Sequence, residues 1–201
     1  ELEEMLEPAE YAAARNSTKA AHYTSQSVVK AIWEGARRLG FRGGAVLEPS
    51  VGSGNFLGLM PQDLRGPSRV TAVEYDAITA GIAKLLYPGA NVLHSGFEKL
   101  PIPKGSQSLA IGNPPFGKDQ LFFRHNPDVN RKTIHNQFFL ASMDSLAPGG
   151  ILAMVVSHYL MDSLDSTNRL AMAERAELLH AIRLPSNAFE ENANTEVVTD
   201  I

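Results

Sequence analysis

Short apolar runs alternate with segments of helical periodicity along most of the chain, and this alternation restricts the fold more than any other feature. Runs that predict strands lie at residues 45–48, 70–76, 91–94, 108–111, 151–156, 178–184 and 196–201. Segments with apolar residues at helical spacing lie at 26–39, 78–86, 138–147 and 168–179. Strands separated by helices usually pair in parallel, so we predict a doubly wound α/β fold with a mostly parallel sheet and helices on both faces.

Four residues of chemical interest each follow the carboxyl end of a predicted strand: Gly52, Glu74, Phe97 and Asn113. In a parallel sheet these ends lie at one edge, and ligands bind there near the reversal of strand order. The order of the residues along the chain therefore predicts a single site at this edge.

The composition of the chain excludes several classes of function but does not identify one. The chain has 201 residues, 44% hydrophobic and 20% charged, and a formal net charge of −4, so no overall basic character indicates nucleic acid. Cysteine is absent, which excludes disulfides and thiolate chemistry. The six histidines are scattered without ligand spacing, so we expect no metal site. No apolar run has transmembrane length and no secretory signal opens the chain, so we expect a cytoplasmic protein without membrane contact.

The two ends of the sequence lead us to expect a fragment or domain of a larger protein. The first residue is Glu1 rather than Met, and the last run reads as a strand cut short. We expect residues 1–20 to be a linker or helix running in from an upstream region.

The sequence Asn113-Pro114-Pro115-Phe116 directly follows a predicted buried strand. A residue before proline avoids the helical region and proline has no N–H, so the turn is extended. Such a turn presents two acceptors, the Asn113 amide oxygen and the Pro114 carbonyl, to one planar amino group, with the Phe116 ring beside them. The pattern alone is equally typical of a plain turn.

A glycine turn follows the first predicted strand, in the sequence Pro49-Ser50-Val51-Gly52-Ser53-Gly54. It is not a phosphate loop, because no G-K-[ST] follows, and Leu57 stands where a dinucleotide fingerprint needs its third glycine. Glu74 lies where a nucleotide-binding sheet places an acid for ribose hydroxyls, although strands often end in polar residues. Residues 117–134 fit no element and form either a binding loop or a solvated insertion.

Taken in order, these motifs resemble those of S-adenosylmethionine-dependent amino-group methyltransferases. The similarity is greatest to N6-adenine DNA methyltransferases whose cofactor region precedes the catalytic region, and His22-Tyr23-Thr24 resembles the segment before their glycine turn. The chain also looks similar to methylase-like regions of very large phage and mobile-element proteins. The resemblance covers residues 21–201, which it implies are a methyltransferase domain without a target-recognition domain. It implies a Rossmann-like, seven-stranded sheet with an antiparallel last strand.

The resemblance implies two groups of site residues. The cofactor-binding residues would be Thr24, Glu48, Ser50, Gly52, Gly54, Glu74, Tyr75 and Phe97. The catalytic residues would be Asn113, Pro114, Pro115 and Phe116, with Phe116 and Phe189 stacking on a flipped base. Many relatives place an acid before the aromatic matched by Phe97, where it reads the adenine amino group of the cofactor. Here that position is Gly96, and Glu98 or a backbone carbonyl is the expected substitute.

The implied reaction is methyl transfer from S-adenosylmethionine to an exocyclic amine, adenine N6 of DNA before other acceptors, as in restriction-modification enzymes. The DNA would be single-stranded or delivered by a missing recognition domain, and further domains of a parent chain would be partners. Alternatives are an RNA base or a protein glutamine as acceptor, or a non-catalytic cofactor- or DNA-binding module. A nicotinamide dehydrogenase is disfavoured by the missing third glycine.

Overall fold

Five parallel strands form the central sheet of the computed structural model, which describes residues 24–185 and 199–201. The strands are β1 (Gly44–Glu48), β2 (Ser68–Glu74), β3 (Asn91–His94), β4 (Gln107–Gly112) and β5 (Leu146–Met154), in the order β3-β2-β1-β4-β5. The chain runs outward from β1 to β3 and then returns to β4 on the other side of β1. The switch in strand order therefore lies between β1 and β4, where ligands bind in open α/β sheets.

Helices cover both faces of this sheet, as the alternation of elements predicts. They are α1 (Gln26–Arg38), α2 (Asn55–Gly58), α3 (Gln62–Arg65), α4 (Ala77–Leu86), α5 (Ile134–Ser145), α6 (Tyr159–Asp162) and α7 (Thr167–Ala173), with 3-10 turns at Phe97–Lys99 and Pro127–Val129. Val46 packs with the buried residues of α1, whereas Leu47 packs with those of α5. Neighbouring strand residues point to opposite faces, so these two clusters lie on the two sides of the sheet.

The prediction of a seven-stranded sheet needs correction. In the described residues five strands form one sheet, and β6 (Val156–Ser157) and β7 (Thr199–Asp200) form a separate antiparallel pair. The Val155 N–H donates to the Gly112 carbonyl at 3.0 Å, where pairing with β4 ends. The prolines after Asn113 cannot donate to a ladder, and beyond Val155 the chain pairs with β7. The last strand is antiparallel, as predicted, and residues 182–184 pair with 199–201 without forming a strand of their own.

The boundary between α5 and β5 also differs from the prediction. The helical segment predicted at 138–147 ends two residues earlier, at Ser145, and Leu146–Met154 form β5, with Pro148 inside the strand. In the described sheet β5 is an edge strand with a register irregularity beside it, and such strands tolerate proline. None of the helices in the described part of the chain is long and apolar enough to cross a membrane.

Candidate active site

A cavity of about 660 Å³ lies at the carboxyl ends of β1, β2, β3 and β4. Its wall includes most of the residues that the sequence singles out: Thr24, Glu48, Ser50, Gly52, Glu74, Tyr75, Phe97, Asn113, Pro114 and Pro115. The fold thus brings residues from distant parts of the chain to one place, the switch in strand order.

The glycine turn (residues 49–54) is held to the sheet by its own backbone. The Val51 N–H donates to the Val73 carbonyl at 2.8 Å, and the Gly54 N–H donates to the Val51 carbonyl at 3.0 Å. Gly52 has a φ of 54° and lines the cavity, with open space where a Cβ would be. Only glycine adopts this conformation readily, and it leaves the backbone open to a ligand.

Glu74 joins the glycine turn to the end of β2. One carboxylate oxygen accepts from the Gly52 N–H and the other from the Asp76 N–H, each at 2.8 Å. A carboxylate has about four lone-pair positions, so each oxygen keeps capacity for a further donor. Glu74 therefore orders the turn and still presents acceptors to the cavity.

Glu48, unlike Glu74, is buried and not fully hydrogen-bonded. It is only 1% exposed, and its Oε2 has no hydrogen-bond partner among the described residues. Burial raises the pKa of the Glu48 carboxyl well above its ordinary value, and the negative charge of Glu74 raises it further. A buried acceptor without a partner is costly unless a ligand satisfies it. The side chain lies on the cavity wall, where a cationic or hydrogen-bond-donating ligand would do so.

The proline turn (residues 113–117) meets the glycine turn directly. The Ser50 hydroxyl donates to the main-chain carbonyl of Asn113 at 3.1 Å, and β1 and β4 are paired neighbours behind this contact. Asn113 lines the same cavity as Pro49 and Gly52, and its side-chain oxygen is shielded from solvent. A hydrogen bond made there is strengthened by the low local dielectric.

The Glu98 carboxylate lies next to Gly96, in the space that a Cβ at this position would take. A Cβ placed on Gly96 would lie 2.3 Å from Glu98 Oε1 and 2.4 Å from Oε2. The Glu98 carboxylate thus fills the space that a side chain at position 96 would need, and it lines the cavity beside buried Phe97. The carboxylate comes from two residues later in the chain because the 3-10 turn at Phe97–Lys99 folds it back.

Three of the predicted site residues are not on the described wall of this cavity. Gly54 has a φ of 92° and faces the Tyr87 ring, where a Cβ would lie 2.1 Å from a ring carbon. Phe116 stacks on His135 at a centroid distance of 4.9 Å and also packs against the cluster that includes α1. Phe189 lies outside the described residues, as do His22 and Tyr23.

Sequence reasoning missed the apolar side of the cavity, which Leu121, Ile134 and Phe138 contribute. It also missed His135, because a single histidine in a helical pattern carries no signal. Burial lowers the pKa of His135 to about 4, so the imidazole is neutral at ordinary pH. Its Nε2 accepts from the Ser157 N–H at 3.4 Å, and its ring backs Phe116. Across the described residues there is no group of three or more acidic or histidine side chains that could hold a metal.

Comparison with known proteins supports this reading of the fold. The chain is 30% identical over 181 residues to the Defense against restriction protein B of Escherichia phage P1, a match that covers 88% of the chain. The chain spans only 8% of the length of that phage protein. No family model matches the chain.

Solved structures with the same fold include methyltransferases. The methyltransferase subunit of a type I restriction-modification system from Streptococcus thermophilus superposes with a TM-score of 0.72 at 20% identity, over 89% of this chain and 43% of that one. A geranyl diphosphate methyltransferase in complex with S-adenosylmethionine gives a TM-score of 0.57 at 12% identity, over 87% of this chain and 82% of that one. The chain therefore has an α/β fold that S-adenosylmethionine-dependent methyltransferases also have.

Proposed function

We propose that the chain transfers a methyl group from S-adenosylmethionine to an exocyclic amino group, with adenine N6 of DNA as the favoured acceptor. One observation carries this proposal: the glycine turn and the proline turn line one cavity and are joined by the Ser50–Asn113 hydrogen bond. A methyl donor and an amine can react only if both are held side by side, and the two turns supply the two halves of such a site.

The residues of the cavity fit this cofactor. The unpartnered Glu48 oxygen suits the positive charge of the methionine moiety, and the remaining acceptors of Glu74 suit ribose hydroxyls. Phe97 and Tyr75 supply aromatic surface for the adenine ring, and the Glu98 carboxylate supplies an acceptor for its amino group. A cavity of about 660 Å³ lies within the roughly 300–1,000 Å³ range of small-molecule sites.

The proline turn provides the chemistry of the acceptor. An aromatic amine is a poor nucleophile because its lone pair is delocalised into the ring. Hydrogen bonds to the Asn113 amide oxygen and the Pro114 carbonyl favour a more tetrahedral nitrogen and stabilise the positive charge that develops on it. When bound, S-adenosylmethionine would supply the methyl group and leave as S-adenosylhomocysteine, and the acceptor nitrogen would lose one proton to water.

A base in a duplex cannot reach a recessed turn, so the target would flip out or come from a single strand. We assign Phe116 and Phe189 to stacking on that base, with His135 holding the Phe116 ring. Target choice would come from further domains of a longer chain, consistent with the 8% of the phage protein that this chain spans.

The test combines calorimetry with S-adenosylmethionine and a methyl-transfer assay on unmethylated duplex DNA, single-stranded DNA, RNA and a protein acceptor. We expect cofactor binding and N6-methyl-2′-deoxyadenosine in digested DNA. Methylation of RNA or glutamine instead would change the acceptor but keep the chemistry. Cofactor binding without transfer to any acceptor would favour a non-catalytic module, and a folded sample that binds no cofactor would overturn the proposal.

A further inference from the structure

The backbone of the loop between the proline turn and α5 (residues 117–133) is hydrogen-bonded to amide side chains at two positions, Leu121 and Phe123. The Leu121 N–H donates to Gln137 Oε1 at 2.8 Å, and Gln137 Nε2 donates to the Leu121 carbonyl at 2.7 Å. The Phe123 N–H donates to Asn130 Oδ1 at 2.8 Å, and Asn130 Nδ2 donates to the Phe123 carbonyl at 3.3 Å. Two amide side chains thus pair with the backbone as a neighbouring strand would.

Between these two fixed residues stands Phe122, whose surface is 75% exposed. Phe123 is 4% exposed and meets Phe97 edge to face at 5.7 Å. A single exposed aromatic needs no explanation by itself. Here, however, its backbone is held on both sides, and one of the holding residues, Gln137, is fully buried. The outward direction of the Phe122 ring is therefore built into the loop.

The loop that carries this ring has an excess of cationic side chains. The loop has four cationic side chains, Lys118, Arg124, Arg131 and Lys132, against two anionic ones, a net charge of +2 in a chain of net charge −4. Arg124 and Arg131 are exposed and make no ion pair with any residue in the described ranges. Arg131 is also the one described non-glycine residue with a positive φ, 66°.

The surface depression that includes Phe122 adjoins the cavity. Leu121 lines both the cavity and a shallow surface depression formed with Phe122, Pro127 and Arg131. The Ile134 N–H donates to the Asp119 carbonyl at 2.6 Å and closes the loop beside the proline turn. Leu121 thus joins the surface around Phe122 to the cavity that Asn113 lines.

We propose that Phe122, Arg124 and Arg131 form a contact surface for single-stranded nucleic acid, in which a base next to the target stacks on Phe122 and the guanidinium groups bind flanking phosphates. This inference rests on the proposed function and names how that site holds its substrate strand. A polyanion fits the unpaired cations and a base fits the exposed ring, as in other proteins that bind single strands. An apolar protein partner would leave both arginines without anions.

The test measures binding of a labelled single-stranded oligodeoxynucleotide by fluorescence anisotropy at several salt concentrations. We expect Phe122→Ala to weaken binding at least about five-fold, because stacking of one base on an aromatic contributes this much or more. The matched control is Leu85→Ala, which removes an equally exposed apolar side chain from α4 and should leave affinity unchanged.

The arginines are tested by the salt dependence. The double variant Arg124→Ala/Arg131→Ala should lower the slope of log affinity against log salt by about 1.4, since each phosphate contact to a single strand contributes about 0.7. Arg69→Ala, which removes an exposed cation at the amino end of β2, should leave the slope unchanged.

Cofactor calorimetry and methyl transfer on the same variants separate the two proposals. Three results would overturn the surface and leave the proposed methyltransferase intact. The first is unchanged strand affinity in Phe122→Ala, and the second is no strand binding by the unmodified chain at low salt. The third is a loss of methyl transfer in Phe122→Ala that is confined to a protein acceptor. Absent cofactor binding with an intact Phe122 effect would overturn the methyltransferase and not the surface.

Discussion

The glycine turn and the proline turn face the same cavity, but they use their hydrogen-bonding groups in opposite ways. In the glycine turn the N–H groups of Val51 and Gly52 are used within the protein, and the acidic side chains of Glu48 and Glu74 line the cavity beside them. The proline turn has no N–H at Pro114 and offers acceptors instead. The first arrangement suits a cationic ligand with hydroxyls, and the second suits an amine that gains positive charge. Substitutions in the two turns should therefore separate binding from rate.

Asn113→Ala should have the largest effect. Removing one preorganised group that stabilises developing charge costs about 10²–10³ in rate, and we expect transfer to fall by this factor. Cofactor affinity by calorimetry should stay within a few-fold, because Asn113 contacts the glycine turn through its main chain. Asn91→Ala, at the exposed start of β3, is the control and should change neither quantity. Equal losses of rate and cofactor affinity would contradict the division of roles between the turns.

Glu48→Gln should affect cofactor binding and its dependence on pH. Burial and the charge of Glu74 raise the Glu48 pKa and so disfavour its ionised form, whereas a cationic ligand favours that form. Affinity of the unmodified chain should then rise with pH until the pKa is passed, with proton release seen in buffers of different ionisation enthalpy. The glutamine variant should bind about ten-fold more weakly at high pH and show no proton release.

The same substitution should stabilise the fold, which serves as an independent check on Glu48. An acid with a raised folded pKa is ionised in the unfolded chain above its ordinary value of 4.5, so it opposes folding increasingly as pH rises. Thermal melting of Glu48→Gln should therefore exceed that of the unmodified chain at pH 7 and converge with it at pH 4. A lower melting temperature at pH 7 would show that the carboxyl supports the fold.

The sequence predicted much of this site because strand order and turn chemistry are local signals. The apolar runs located β1 to β4, and their carboxyl ends brought Gly52, Glu74 and Asn113 together without any contact information. This worked because parallel pairing fixes which ends meet. The sequence identified Glu48 and Glu74 but did not predict that Glu74 accepts two backbone hydrogen bonds while Glu48 is buried with an unpartnered oxygen. These differences depend on residues far away in the chain.

What could not be predicted depends on packing between distant segments. The missing Cβ of Gly54 makes room for the Tyr87 ring, and nothing near Gly54 in the chain indicates this. Phe116 stacks on His135 from α5, which the turn motif does not contain. Seven strands in one sheet were expected from resemblance, but β6 and β7 form a separate pair between residues far apart in the chain, which no local pattern indicates.

Glu74→Gln should have an intermediate effect confined to the glycine turn. The amide keeps one acceptor for a backbone N–H but places an NH₂ opposite the other, so both the turn and the ribose contact are weakened. We expect cofactor affinity to fall about ten-fold with a small loss of thermal stability, and transfer at saturating cofactor to stay within a few-fold. A rate loss at saturation as large as that of Asn113→Ala would erase the contrast between the turns.

The smallest effect, and the most specific one, should come from moving a carboxylate by two residues. Glu98→Ala should weaken cofactor binding about five-fold and reduce discrimination against an analogue with hypoxanthine in place of adenine. Gly96→Asp alone should force the Glu98 side chain to move, because the new Cβ would clash with the Glu98 carboxylate. In Gly96→Asp/Glu98→Ala that clash is gone and a carboxylate returns to the same space, so calorimetry should show discrimination restored. If the double variant discriminates no better than Glu98→Ala, the Glu98 carboxylate does not read the adenine amino group.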